Sequence, residues 1–422
     1  MRALIISTAL ATLALGACAS TNIDARQVGE DDMADAASVR AGIAVRDEKA
    51  EEYINRSGAR IRDDALQGFV EAQIRRVAPD FASEMRVYLV EEPVFNASMR
   101  SNGLMTVYSG LLLRAETADE LAFVLGHEFG HYLERHIEER VNAASNISVG
   151  LTALSLAAGA VAVGASPATQ GTTDALTLAL QTTSLAAVGG FMSFNREQER
   201  EADRIGVEVA QAAGLDAAGS IRMWQNLNAE KDASSQWRVR RRSSHSRIFD
   251  THPASDERIA ALKEQVGVQD VPEAALDARR EYRAQIRPHL ASWLDVELIR
   301  RDPGATLTLV ERLETLGEDQ GVLAYARARI IRAALDDPKL MERGKQNREF
   351  LARFTRASVG DALREATAHA DAPARAFRDL GDHLRAQGQS AEAAEAFRAY
   401  LRADPGAPDR ALVESLIQRL QG

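Results

Sequence analysis

His127-Glu128-Phe129-Gly130-His131 packs the most chemistry into the fewest residues of this sequence. Residues four apart on an α-helix lie about 40° apart around its axis, so both imidazoles leave one face and can share one zinc ion. Glu128, beside them, is placed to take a proton from a water on that metal and return it to a leaving amine as a peptide carbonyl is attacked. A catalytic zinc needs a third protein ligand and an open position. His136 lies five residues past His131, about 140° round the same helix, and reads as structural. Glu199-Arg200-Glu201-Ala202-Asp203 is the better source. Glu199 and Asp203 share a helix face, so Glu199 can ligate while Asp203 orients a ligating histidine. Glu201, about 160° from Asp203, reads as a solvated charge. The expected set is one zinc per chain on His127, His131 and Glu199, with Glu128 as general base.

These residues need helices to carry them. Thr117-Ala118-Asp119-Glu120 is a capping box, and the helix it opens is expected to run to about Val141. Asn195-Arg196-Glu197-Gln198 is a second capping box, opening a helix to Ala213 that stops at Gly214. An amphipathic helix is expected from Ala50 to Val77, stopped by Pro79. Arg86–Val90 and the run Leu104, Met105, Thr106, Val107 and Tyr108 read as strands, the second a candidate edge for aligning a substrate backbone. Ile147 to Ala165 and Ala175 to Phe194 are weakly apolar and rich in small residues. They read as buried or site-covering helices, with a membrane-dipping hairpin as the alternative. Arg238, Arg240, Arg241 and Arg242 form a basic loop, read as a solvated patch.

The N-terminus carries an address. Met1-Arg2, an apolar run from Ala3 to Leu15 and Leu15-Gly16-Ala17-Cys18 form a secretory signal peptide over residues 1–17, too short to span a bilayer. The segment before the cysteine resembles the bacterial lipobox, which implies lipidation of Cys18 and a chain tethered to a membrane. Ala19, rather than Asp, follows the cysteine; in Gram-negative lipoproteins that pattern implies the outer membrane. Residues 18–50 are expected to be a solvated tether. Cys18 is the one cysteine of 422 residues, so no internal disulfide or cysteine-rich zinc site can form. Hydrophobic residues are 45% and charged residues 27%, ordinary globular usage, and the net charge of -10 argues against broad nucleic-acid binding.

Beyond about Ala278 the pattern is helical throughout. Leu380-Gly381, Leu384, Gly388, Ala393, Phe397 and Pro405 fall at the spacings of a 34-residue tetratricopeptide repeat, with weaker echoes at Ala326, Ile330, Ala333 and Pro338. Paired helices of that kind leave a concave groove for other proteins, so residues 280–422 are assigned recruitment and the catalytic segment, 51–267, is expected to stand without them. The fold class expected is α+β, mostly helical: a zincin-type metallopeptidase domain with a small sheet, then an all-α tetratricopeptide-like domain.

The H-E-x-G-H form of His127 to His131, followed by E-x-x-x-D at Glu199 and Asp203, resembles the gluzincin metallopeptidases of the HtpX and CAAX-prenyl-endopeptidase family. Asn96-Ala97, Asn102-Gly103, Val107 to Leu112, Asn195-Arg196, Thr251-His252-Pro253 and Arg258-Ile259 extend the likeness over about residues 60–262. With a signal peptide and C-terminal repeats, the chain is similar to the family's periplasmic members, from which its lipobox departs. The resemblance implies a zinc metalloendopeptidase and makes His252 a candidate further zinc ligand or transition-state donor. The expected setting is the periplasmic face of a Gram-negative outer membrane, with unfolded or misassembled envelope proteins as substrates and the outer-membrane assembly machinery as a partner of the repeats. The alternative is a non-proteolytic tetratricopeptide scaffold or chaperone lipoprotein; an integral intramembrane protease is a third reading.

Overall fold

A computed structural model describes residues 25–29, 39–140, 194–236, 256–344 and 352–421. Cys18, the apolar stretches from 147 to 193, the basic loop and His252 lie outside the described residues. Helices dominate, with one small sheet. Strand β1 (Arg86–Val90) runs parallel to β3 (Leu104–Tyr108), and β2 (Ala97–Met99) runs antiparallel on the other side of β3. The order is β1-β3-β2. The expectation that β3 is an open edge is therefore corrected: both its ladders are filled, and Leu104 through Val107 are buried. The run lacks the apolar–polar alternation of a half-exposed strand, as suits a strand covered on both faces. The edge strands are β1 and β2, and β2 lies against the helix that carries His127.

The helix expected from Ala50 to Val77 is two helices, α1 (Val39–Arg56) and α2 (Asp64–Val77). The break falls at Ser57-Gly58, and Asp63 then caps α2 by accepting from the Ala65 and Leu66 N–H groups. α1 starts inside the stretch expected to be a solvated tether. Its Asp47 is buried and accepts from the Ser101 N–H and hydroxyl at 3.2 and 2.9 Å, so this part of the tether is folded onto the body.

After the short α3 (Ser109–Leu112) come α4 (Ala118–Leu133) and α5 (Arg196–Ala212), which cross closely. Gly130 lies over Ala202 and Gly206 lies against the backbone of His127, so small residues on both helices allow the approach. Thr117 caps α4 as expected by accepting from the Glu120 N–H. Glu120 does not reach back to the cap; its carboxylate takes the Glu116 N–H and the Arg222 guanidinium. Asn195 and Gln198 form the reciprocal capping box of α5. α6 (Ala218–Asp232) and α7 (Asp256–Val266) pack beside them.

The remaining helices are α8 (Leu276–Glu297), α9 (Pro303–Glu314), α10 (Gln320–Leu335), α11 (Pro338–Gly344), α12 (Arg356–Ala368), α13 (Ala374–Ala386), α14 (Ser390–Ala403) and α15 (Arg410–Gln421). α13 and α14 pack as neighbours, and a Cβ at Gly381 would strike the Phe397 ring. α8 and α9 belong to the same core as the zinc-motif helix. The Tyr282 hydroxyl donates to the Leu112 carbonyl at 2.8 Å. Arg114, fully buried, donates to Glu230 at 2.8 Å and to Glu297 at 2.7 Å, while Arg312 pairs with Glu116 and Glu230. Burial opposes the charge on Arg114, but the two carboxylates outweigh it and hold the guanidinium firmly protonated. Separability of the catalytic segment does not follow from this arrangement: removing α8 and α9 would leave Arg114, Glu116 and Glu230 buried without their cross-partners. Among the described residues no helix is long and apolar enough to cross a membrane.

Candidate metal centre

The α4–α5 crossing brings together the residues that the sequence set 68 to 76 positions apart. His127 and His131 project from one face of α4, their Nε2 atoms 3.3 Å apart. Glu199, on the first turn of α5, places Oε2 3.7 Å from the first Nε2 and Oε1 3.7 Å from the second. All three are buried, and among the described residues they are the group able to hold a metal ion. Zinc ligated at 2.0–2.2 Å in a tetrahedron needs donors about 3.3–3.6 Å apart. The two imidazole nitrogens are at that spacing, each has a Glu199 oxygen close to it, and with one atom from each residue the three donors lie within 4.8 Å of one another; two imidazoles with one carboxylate leave a fourth position open, so the donor set fits zinc. Glu128 is buried on the same turn of α4.

Asp203 lies beside His127. Its Oδ1 lies 2.9 Å from His127 Nδ1, so the carboxylate fixes the tautomer that turns Nε2 toward the centre. Burial would raise the Asp203 carboxyl, but the Arg258 charge and the hydrogen bonds from His127 and Arg258 hold it well below the usual carboxylate range.

Two residues have roles the sequence reading missed. Arg258, on the first turn of α7, is buried and grips Asp203 through Nε and Nη2, both at 2.7 Å, while Nη1 reaches Glu199 at 2.8 Å. It stacks over Trp224 at 4.2 Å from the ring centroid. One guanidinium thus ties a ligand to the group that orients another ligand; no spacing rule reveals this, because α7 is far along the chain. His136 is the second. It does not point away: α4 stops at Leu133, Arg135 adopts a positive φ of 56°, and the returning chain puts His136 Nδ1 2.9 Å from His131 Nδ1. The angular argument assumed a helix running to Val141. His136 Nε2 in turn lies 3.3 Å from Glu201, whose side chain is partly exposed yet not merely solvated. Burial lowers the His136 pKa, against the opposing pull of Glu139 and Glu201.

A small recess of about 20 Å³, partly open to solvent, adjoins the centre. His127 and Glu128 face it, with Asn96, Ala97 of β2 and an apolar wall of Phe95, Phe123, Val124 and Trp224. Of the expected substrate strand, Tyr108 alone is partly exposed; burial raises its pKa, and the charges of Glu92 and Glu128 add to that.

Residues 61–266 match the model of peptidase family M48. The matched segment contains His127, Glu128, His131, Glu199, Asp203 and Arg258. Three curated relatives are similar to part of the chain. The β-barrel assembly-enhancing protease of Yersinia pestis is 29% identical over 173 residues, 41% of this chain and 32% of that protein. Metalloprotease LoiP of Escherichia coli is 26% identical over 189 residues, 44% of this chain and 64% of the relative. Mitochondrial metalloendopeptidase OMA1 of Saccharomyces cerevisiae is 28% identical over 178 residues, 41% of this chain and 44% of the relative. The chain thus spans about a third of the length of the β-barrel assembly-enhancing protease it matches.

Proposed function

We propose that this chain is a zinc-dependent metalloendopeptidase of the bacterial cell envelope that hydrolyses peptide bonds of unfolded or misassembled proteins. The observation that carries the reading is the convergence of one donor atom each from His127, His131 and Glu199 within 4.8 Å of one another, with Glu128 beside them. When bound, zinc supplies the Lewis acidity that polarises a carbonyl and brings the pKa of water toward ~7. Glu128 accepts the proton of the attacking water and passes it to the leaving amine nitrogen. Asp203 and Arg258 hold His127 and Glu199 in register, so little reorganisation accompanies the chemistry. The edge of β2, rather than β3, aligns an extended substrate backbone.

The envelope role draws on the relative named as a β-barrel assembly-enhancing protease and on the signal peptide with Cys18. The helices beyond Gly267 are assigned recruitment of protein partners in a tetratricopeptide-like manner, supported by the small-residue packing of Gly381 on Phe397. Arg26 is eight positions past Cys18, so a lipid on Cys18 would hold the protein within about 30 Å of an outer-membrane leaflet. The test is degradation of casein by the purified full chain and by Glu128→Gln. Wild type should cleave and the variant should lose nearly all turnover while keeping zinc and fold. Equal turnover, or none in a zinc-loaded wild type, would favour a scaffold or chaperone instead.

A further inference from the structure

Arg26 lies outside the matched M48 segment, yet it is only 3% exposed. Its backbone N–H donates to the Leu133 carbonyl at 2.7 Å. Leu133 is the last residue of α4, and carbonyls there lack an intrahelical partner. The Arg26 guanidinium stacks over the Tyr132 ring at 4.3 Å and donates to Glu138 at 2.6 Å, a carboxylate as buried as itself. Arg135 also approaches Glu138, at 3.6 Å. A cation at the C-terminal end of a helix is in addition favoured by the helix dipole. Arg26 therefore holds the chain on both sides of one turn, at Leu133 before it and at Glu138 after it.

That turn delivers His136 to His131. Arg135, between the two grips, sits in the left-handed region that a residue with a Cβ adopts only when its surroundings impose it. A metal on His131 Nε2 requires the proton on Nδ1, which then donates to His136 Nδ1 at 2.9 Å. His136 in turn carries its proton on Nε2, facing Glu201 at 3.3 Å. The ring plane of a zinc ligand is thus set by a histidine whose own position depends on the braced turn.

We propose that Arg26 is a positioning residue of the metal centre: it braces the Leu133–Glu138 turn so that His136 orients His131. The proposal rests on the reading that His127, His131 and Glu199 hold zinc. In the full-length protein, Arg26→Ala should surrender zinc to a competing chelator about 10–100-fold more readily than wild type, the range seen when a group orienting a ligand is lost. Its cobalt-substituted form should show a visible absorption band altered in position or intensity. Arg26→Lys, which can still reach Glu138, should recover part of the affinity. Arg26→Ala combined with His136→Ala should be no worse than His136→Ala alone, since both act through one contact. Should Arg26→Ala not fold, Glu138→Gln removes the charge of the same grip at constant volume and should give the same band change and weaker zinc. A lower melting temperature with wild-type zinc affinity and an unchanged cobalt band would make Arg26 a structural residue only and overturn the proposal, as would additive effects of the two alanines. A wild type that takes up neither zinc nor cobalt would instead overturn the metal reading beneath it.

Discussion

Gly206→Ala adds one methyl group at the α4–α5 crossing, and its effect can be worked from the atoms it would meet. The new Cβ would lie 3.1 Å from the His127 backbone nitrogen, 3.3 Å from the His127 Cα and 3.1 Å from a Phe123 ring carbon. Ordinary contacts of a Cβ begin near 3.4 Å, so the neighbours must yield by a few tenths of an ångström. Two of the three belong to the backbone that carries His127, and they can yield only if α4 shifts against Glu199. Alanine gains up to about 1 kcal/mol of helix propensity over glycine. Overpacking a close-packed interface costs about 1–3 kcal/mol. The expected net loss is about 0–2 kcal/mol, a fall in melting temperature of at most roughly 2 °C for a chain of this size. Because the shift displaces one ligand from another, zinc should bind about tenfold or more weakly by chelator competition. Gly126→Ala is the control: its close atom is a methyl of the partly exposed Val209 at 2.8 Å, which can rotate, and the next atoms, the Gly206 Cα and carbonyl oxygen, are at 3.4 and 3.5 Å. It should stay within about 1 kcal/mol of wild type with zinc unchanged. A Gly206→Ala protein as stable as wild type, with wild-type zinc affinity, would refute the claim that this crossing sets the centre.

Three further outcomes follow from the same contacts. Asp203→Ala should cost about 10–100-fold in zinc affinity or activity, because His127 loses the carboxylate that fixes its tautomer; titration with a chromogenic chelator checks this. Burial tends to raise the Glu297 carboxyl, but Arg114 and Arg300 hold it below the usual carboxylate range. Its stabilisation is therefore complete above the unfolded value near 4.5 and is lost as pH falls through the lower folded value. Melting curves from pH 7 to pH 3 should show a steeper acid loss in wild type than in Glu297→Gln, and parallel profiles would contradict the assignment. A chain ending at Gly267 should fail to fold, since Arg114 would lose Glu297 and Glu230 would lose Arg312; a truncation that unfolds cooperatively and holds zinc would show otherwise.

The metal centre was readable from sequence where one helix carries the information. The i, i+4 spacing of His127 and His131, the same spacing of Glu199 and Asp203, and the two caps at Thr117 and Asn195 all state which side chains share a face. What the sequence could not state was where α4 stops. It stops at Leu133, where Arg135 turns left-handed and Glu138 pairs with Arg26, more than a hundred residues away in the chain. That one missed stop reversed the reading of His136. Arg258 was visible only as part of a family likeness, since its grip on Glu199 and Asp203 depends on how α7 packs. The Leu104 to Tyr108 strand was recognised, but strand order is a tertiary property, and its unbroken burial was the one local sign that it lies inside the sheet. The C-terminal helices were legible as helices, whereas their ties to Leu112 and Arg114 were not, because long-range ion pairs leave no periodicity.

The central claim is that the α4–α5 crossing builds one zinc site from His127, His131 and Glu199. Anomalous diffraction recorded on both sides of the zinc absorption edge, from crystals of the full chain grown with equimolar zinc, tests it most directly. The account predicts one strong peak per chain, about 2.0–2.2 Å from Nε2 of both histidines and from a Glu199 carboxylate oxygen. A peak ligated elsewhere, or no peak at these three residues in a folded chain, would contradict it.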